Sequence, residues 1–288
     1  MRTKGFTVLE LLLALLVLVL VMSIAFSTSI QGLQLNQANE AISSAQNKAR
    51  RVLEVLSQDL RTAAFAVITH VPFDSNATGI SFAQVAGGAG YTVTAVAGGG
   101  FTLVSNSPTL TSEIPAGSRL ILVDGNGNAV LTRASSTPVV SGLNLYTIAT
   151  TCANLPISVT TETLASVVNL MGYSYDANNR KLIYRVQGDP APTDVAYDVS
   201  NFRVDYVYRR RSGTTLSEER NPSGYLVNNR AQVYFTSGGA EYALRRVQFT
   251  LGVQVPLRGR NVERTYTGQV DMINTLYYEA RTVSTCNP

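Results

Sequence analysis

Phe6 to Phe26 reads FTVLELLLALLVLVLVMSIAF, and this stretch decides the fold. It supplies the ~20 predominantly apolar residues that a helix needs to cross the hydrocarbon core of a membrane. Glu10 is its only charge. Arg2 and Lys4 precede it and no basic residue follows until Lys48, so the positive-inside bias holds the N-terminus in the cytoplasm and exports the remainder. The expected topology is a single membrane pass. A cleavable secretory signal would close its apolar run with small residues in an A-x-A-like pattern, and Ser23 to Ile30 offers only a poor version of one.

Helical character continues beyond the apolar run. From Ile42, apolar or small residues recur at Ala45, Ala49, Val52, Leu53, Leu56, Leu60 and Ala63, spacings that gather them on one helical face. Gln46, Lys48, Arg50, Arg51, Glu54, Gln58 and Asp59 fill the other faces. Gly32 is the only glycine between Phe6 and Gly79, and Pro72 is the first proline. One helix of about 60 residues, about 90 Å long, is therefore expected, its first half suited to lipid and its second to a protein surface.

At the head of this helix stands Lys4-Gly5-Phe6-Thr7-Val8-Leu9-Glu10-Leu11, which resembles the processing motif of type IV prepilins and type II secretion pseudopilins. The resemblance implies cleavage between Gly5 and Phe6 by a membrane prepilin peptidase and N-methylation of the new Phe6 amine. It also implies an assembly role for Glu10. An ionised carboxylate in hydrocarbon costs several kcal/mol unless partnered. In the family that partner is the N-terminal amine of the same or a neighbouring subunit. Residues 1–5 are then a leader, 6–28 the transmembrane half of the helix, 29–70 its amphipathic half, and 71–288 an extracytoplasmic β-rich domain. The implied partners are other pilin subunits, the peptidase and an inner-membrane assembly platform. The implied location is the inner membrane and then a surface pilus, and no cofactor is implied.

After Pro72 short runs rich in Val, Ile, Tyr and Thr alternate with Gly, Asn and Pro clusters, the pattern of strands and turns. Expected strands are Arg119–Val123, Asn144–Ala149, Met171–Tyr175, Lys181–Val186, Phe202–Tyr208, Gln232–Phe235, Leu244–Val255 and Thr265–Val270. Tyr173 to Tyr184 reads as a hairpin whose Asp and Asn residues suit the turn. Thr161–Leu170 carries the one helix signal in this region, and Gly87–Gly100 is open between a flexible loop and small-residue strands. The fold class is α+β and pilin-like, with the long N-terminal helix packed against antiparallel sheet. Val199–Tyr206, Leu244–Leu251, Tyr266–Asn274 and Val52–Arg61 loosely resemble PilW-type minor pilins and J-type minor pseudopilins. The implied function is a minor pilin that initiates or modifies a filament. The alternatives are a minor pseudopilin of a secretion system and a DNA-binding pilus component in natural transformation.

Only 15% of the residues are charged, and the formal net charge is +4. Ser, Thr, Asn and Gly abound after residue 70, as is common in exported β proteins. Two cysteines, Cys152 and Cys286, have no metal-ligand neighbours in sequence, so a long-range disulfide in an oxidising compartment is their natural reading. His70 is the only histidine, which rules out multi-histidine metal sites and disfavours histidine-dependent catalysis. No G-x-S-x-G, nucleotide loop or H-E-x-x-H occurs, so a membrane-tethered enzyme is not expected. Asp124, Asn126 and Asn128 place oxygens at alternate positions like the start of a calcium loop, but Ala129 and Ser135 stand where that loop needs Gly and Glu, and a plain turn is preferred. Arg209, Arg210, Arg211, Arg245 and Arg246, with Arg258, Arg260 and Arg264, are the cations that a DNA contact would use, and Tyr206, Tyr208 and Tyr225 could stack on bases. Against this, adjacent arginines on a strand are expected to point to opposite faces.

Overall fold

A computed structural model describes residues 8–66, 69–70, 73–125, 128–155, 157–160, 162–257, 260–271 and 283–285. Helix α1 runs without interruption from Val8 to Thr62. Leu and Ala dominate it, and a β-carbon at Gly32 would meet only open space. The helix stops eight residues short of the expected end. Thr62 Oγ1 turns back to the carbonyls of Gln58 and Asp59, Gln84 Nε2 donates to that same oxygen, and Ala63–Ala66 leave as strand β1. His70 accordingly lies in a strand and not at a helix end.

Beyond β1 come β2 (Thr69–His70), β3 (Phe73–Asp74), β4 (Gly79–Ala97), β5 (Gly100–Val104), the one-turn α2 (Leu110–Glu113), β6 (Arg119–Val123), β7 (Ala129–Arg133), β8 (Val139–Gly142), β9 (Leu145–Ala149) and β10 (Leu164–Asp176). The chain continues through β11 (Lys181–Val186), β12 (Thr193–Ala196), β13 (Val199–Ser212), β14 (Thr215–Arg220), β15 (Leu226–Val227), β16 (Arg230–Ala231), β17 (Tyr234–Ser237), β18 (Ala240–Leu257), β19 (Arg260–Asp271) and β20 (Val283–Thr285). One sheet has the order β20-β7-β6-β10-β4-β5-β9-β8, with β1 on β4 and β11 and β12 continuing from β10. A second has the order β14-β13-β18-β17, with β19 also on β18. Pairing is antiparallel except between β20 and β7. The α+β architecture, a long N-terminal helix on antiparallel sheet, is the one the sequence led us to expect.

One further expectation changes, and one open reading closes. The helix signal at 161–170 yields to β10, which from residue 164 hydrogen-bonds β4 on one edge and β6 on the other. Paired on both edges, a segment centred on Val167 and Val168 gains more as a central strand than its local helical pattern offers. The Gly-rich 87–100 segment is strand: β4 runs to Ala97 and turns at Gly98, φ +54°, into β5. A β-carbon at Gly99 would collide with the Cys152 carbonyl oxygen, so this glycine permits a close backbone approach.

The expected hairpin forms between β10 and β11. Asp176 Oδ1 accepts the Asn178 and Asn179 amides at 3.1 and 3.2 Å, and Arg180 adopts φ +52°. Two larger cores result. The proximal one lies between the second half of α1, the second sheet and the starts of β4 and the end of β10, where Ile80, Phe82 and Tyr173 sit. The distal one gathers Val93, Phe101, Leu103, Leu110, Ile114, Leu120 and Ile148. Because β4 and β10 run through both, continuous strands join the two halves.

Candidate functional site

Along α1 the surroundings of the apolar surface change abruptly. Leu16 and Phe26 are 65% and 70% exposed, and large apolar side chains from Val8 to Leu35 share that condition. Ala45, Ala49, Val52, Leu53, Leu56 and Leu60 are buried, Leu56 completely. This is the stripe that the three- and four-residue spacing marks, and it packs on β18 and β19, with Leu53 lying over Gly268. Each fully buried Leu contributes about 1.5–3 kcal/mol from its removal from water.

Polar contacts pin the same half of the helix. Lys48 Nζ donates to the Tyr197 carbonyl at 2.8 Å, and Tyr173 donates its hydroxyl to Asp59 Oδ2 at 2.6 Å. Burial is the main reason that the Tyr173 hydroxyl is pushed far above its ordinary pKa, with the Asp59 hydrogen bond adding to it. Glu10 stands in the first turn of the exposed half. Gly5 and Phe6 lie outside the described residues. The first half of α1 is therefore the one helix long and apolar enough to cross a membrane among the described residues, and the domain does not cover it.

The basic residues form a second candidate surface. Register partners of Arg209, Arg210 and Arg211 are Ala243, Tyr242 and Glu241. Arg210 turns to one side, where its Nε donates to the Tyr242 hydroxyl at 3.2 Å and lies 4.0 Å from Glu219. Arg209 and Arg211 line a cleft of about 370 Å³ with Leu216, Tyr234, Glu241 and Arg245. Arg245 sits in a β-bulge: the register passes from Val207↔Arg246 to Tyr208↔Leu244, so two residues of β18 lie between buried Leu244 and Val247. Both Arg245 and Arg246 are consequently left half-exposed, contrary to the alternation expected of adjacent strand residues. Sequence periodicity contains no signal for this bulge. Arg246 is engaged by Asp271 at 2.8 Å and by Glu218 at 3.7 Å; the Asp271 hydrogen bond first, and the two carboxylate charges after it, raise its pKa. Arg258 lies outside the described residues. Tyr206 and Tyr208 are buried in the proximal core, their hydroxyls donating to the Gly79 and Gln232 carbonyls, so neither offers a ring to a base.

Asp124 closes a turn. Its two carboxylate oxygens accept the Asn128 backbone amide at 2.9 Å and side-chain amide at 2.8 Å, while the Asp124 amide donates to the Asn128 carbonyl. Asn126 lies outside the described residues. Cys152 is buried in the distal core, its Sγ 3.3 Å from Thr132 Oγ1, and Cys286 lies outside the described residues.

No protein-family model and no curated protein matches the chain. Among solved structures it is similar to a type IV-like pilin from Thermus thermophilus, at 12% identity and a TM-score of 0.31, over 81% of this chain and 98% of that one.

Proposed function

We propose that the chain is a minor pilin, a membrane-anchored subunit that joins a type IV filament through the first half of α1. The observation that carries this reading is the split helix: one unbroken α1 whose apolar stripe is buried from Ala45 to Leu60 by its own domain and left bare from Val8 to Leu35. Bare apolar surface of that length needs lipid before assembly and neighbouring helices after it. In this reading the peptidase cuts after Gly5, Phe6 is methylated, and Glu10 pairs with a subunit's new ammonium as the chain leaves the inner membrane for the filament. A Cys152–Cys286 disulfide is part of the proposal. It is supported by the parallel register of Thr285 with Leu131, whose neighbour Thr132 touches Cys152, and by the lack of a free cysteine among the described residues.

The test is Glu10→Ala, which should leave membrane insertion intact and abolish recovery of the subunit in sheared filaments. Undiminished incorporation would falsify the role. A minor pseudopilin of a secretion system is the neighbouring alternative. Deletion separates the two, with loss of surface fibres or twitching for a pilin and trapped periplasmic enzymes for a pseudopilin.

A second reading, DNA contact, is favoured by the bulge at Arg245, which lines one cleft with Arg209 and Arg211. Filter binding across a salt series tests it. Phosphate contact must weaken steeply as salt rises.

A further inference from the structure

Strands β6 and β11 lie end to end along one edge of β10. Arg119 at the start of β6 is partnered with Val168, and Arg185 near the end of β11 with Gly172. Residues 168 and 172 of a strand face the same way, so the two arginines share a face of the sheet. Arg133 at the end of β7 is the direct cross-strand partner of Arg119. Like charges placed opposite one another destabilise a sheet, and this pair has no carboxylate between its members. Arg119, Arg133 and Arg185 form no ion pair among the described residues. Arg119 Nε is moreover buried without a hydrogen-bond partner. Arg119 shares its sheet face with the small apolar cluster of Ile121, Leu131, Val168 and Leu170. That burial first, and the neighbouring Arg133 charge second, lower the Arg119 pKa.

An orphaned buried donor and a repelling pair are costs that a bound anion would relieve. A pocket of about 200 Å³ opens at this seam, bordered by Arg119, Arg185 and the Gln187–Gly188–Asp189 turn. Gly188, at φ +92°, turns the chain there. We propose that this pocket binds a phosphate-class oxyanion, held by Arg119 and Arg185 with Arg133 adding charge from the neighbouring strand. Two guanidiniums delivered from different strands suit a tetrahedral, multiply charged group, whereas a planar carboxylate is satisfied by one guanidinium fork. Asp189 is the acid on the rim. It is exposed, so water screens its repulsion of an anion held by the arginines.

Thermal unfolding of the full chain in detergent micelles, in inorganic phosphate and in sodium chloride of equal ionic strength, tests the site. Phosphate at about ten times its dissociation constant should raise Tm by about 2 to 4 °C over chloride. Arg119→Gln and Arg185→Gln should each abolish that rise. In phosphate-free buffer Arg119→Gln should unfold no lower than the parent, since it removes the repulsion with Arg133. A parallel series with glycerol 2-phosphate separates a free anion from an esterified one: a rise in both series shows that the pocket accepts a phosphate ester as well as the free ion, a rise with inorganic phosphate alone that it takes only the free ion. No phosphate-specific rise, or one that persists in both variants, overturns the proposal.

Discussion

The hydroxyl of Tyr173 donates to the Asp59 carboxylate at 2.6 Å, joining the last turns of α1 to the last residues of β10 across 114 residues of sequence. The ring behind that hydroxyl is 3% exposed and packs between Phe82, at a centroid distance of 6.3 Å, and Tyr184, at 4.8 Å. One side chain thus serves both the proximal core and the docking of the long helix. Tyr173→Phe keeps the ring contacts and leaves Asp59 without this donor. We expect a loss of about 1 to 2 kcal/mol in stability, discounted because Asp59 is half-buried. Urea unfolding in micelles measures it, and an unchanged midpoint would mean that the bond contributes nothing net.

Leu56→Ala tests the docking stripe directly. Leu56 is completely buried between α1 and the second sheet, so truncation removes its transfer energy and leaves a cavity, at a cost of about 2 to 5 kcal/mol. Leu16→Ala, on the bare half of the helix, should leave the unfolding of the domain unaltered. Equal losses from the two variants would contradict the division of the helix.

Glu113 closes α2 over the distal core. Its Oε1 accepts from Ser107 Oγ at 2.6 Å and Thr109 Oγ1 at 2.7 Å, and its Oε2 accepts from the Tyr91 hydroxyl at 2.7 Å. These bonds, Ser107 foremost, lower its pKa from 4.5 to about 2. A depressed carboxylate stabilises the fold fully above the unfolded value and loses that contribution as the pH falls through the folded one. The Glu113→Gln variant should therefore differ most from the parent above pH 4.5 and converge with it toward pH 2. Thermal melts over that range decide the matter, and a constant difference at every pH would refute it.

For the cysteines, intact-mass measurement without reductant should find two hydrogens fewer than the reduced chain. Cys152→Ser should then cost about 2 to 4 kcal/mol, because without the cross-link the unfolded chain regains conformational entropy. Full alkylation of both thiols without reductant would remove the disulfide from the account.

N-terminal sequencing of subunits recovered from cells should begin at Phe6 with a methylated amine. A chain that still starts at Met1, or one trimmed beyond Met22, would undo the processing reading.

Much of this architecture is written in local pattern. The apolar run from Phe6, the stripe from Ala45 to Leu60 and the limits of β6 and β11 follow from the residues themselves, because a helix bonds within its own segment and its buried face repeats along the chain. Partner choice among strands has no such local record. Whether 164–170 becomes helix or strand depended on β4 and β6 being present on its two edges. That Arg245 and Arg246 lie on one side depended on a bulge against Val207 and Tyr208. That Arg119 meets Arg185 depended on two strands, far apart in sequence, ending at one seam of β10. Local residue pattern is enough for a long helix with two different surfaces and a β-rich domain behind it; which cations share a face emerges only on folding, because strand ladders are bonds between distant residues.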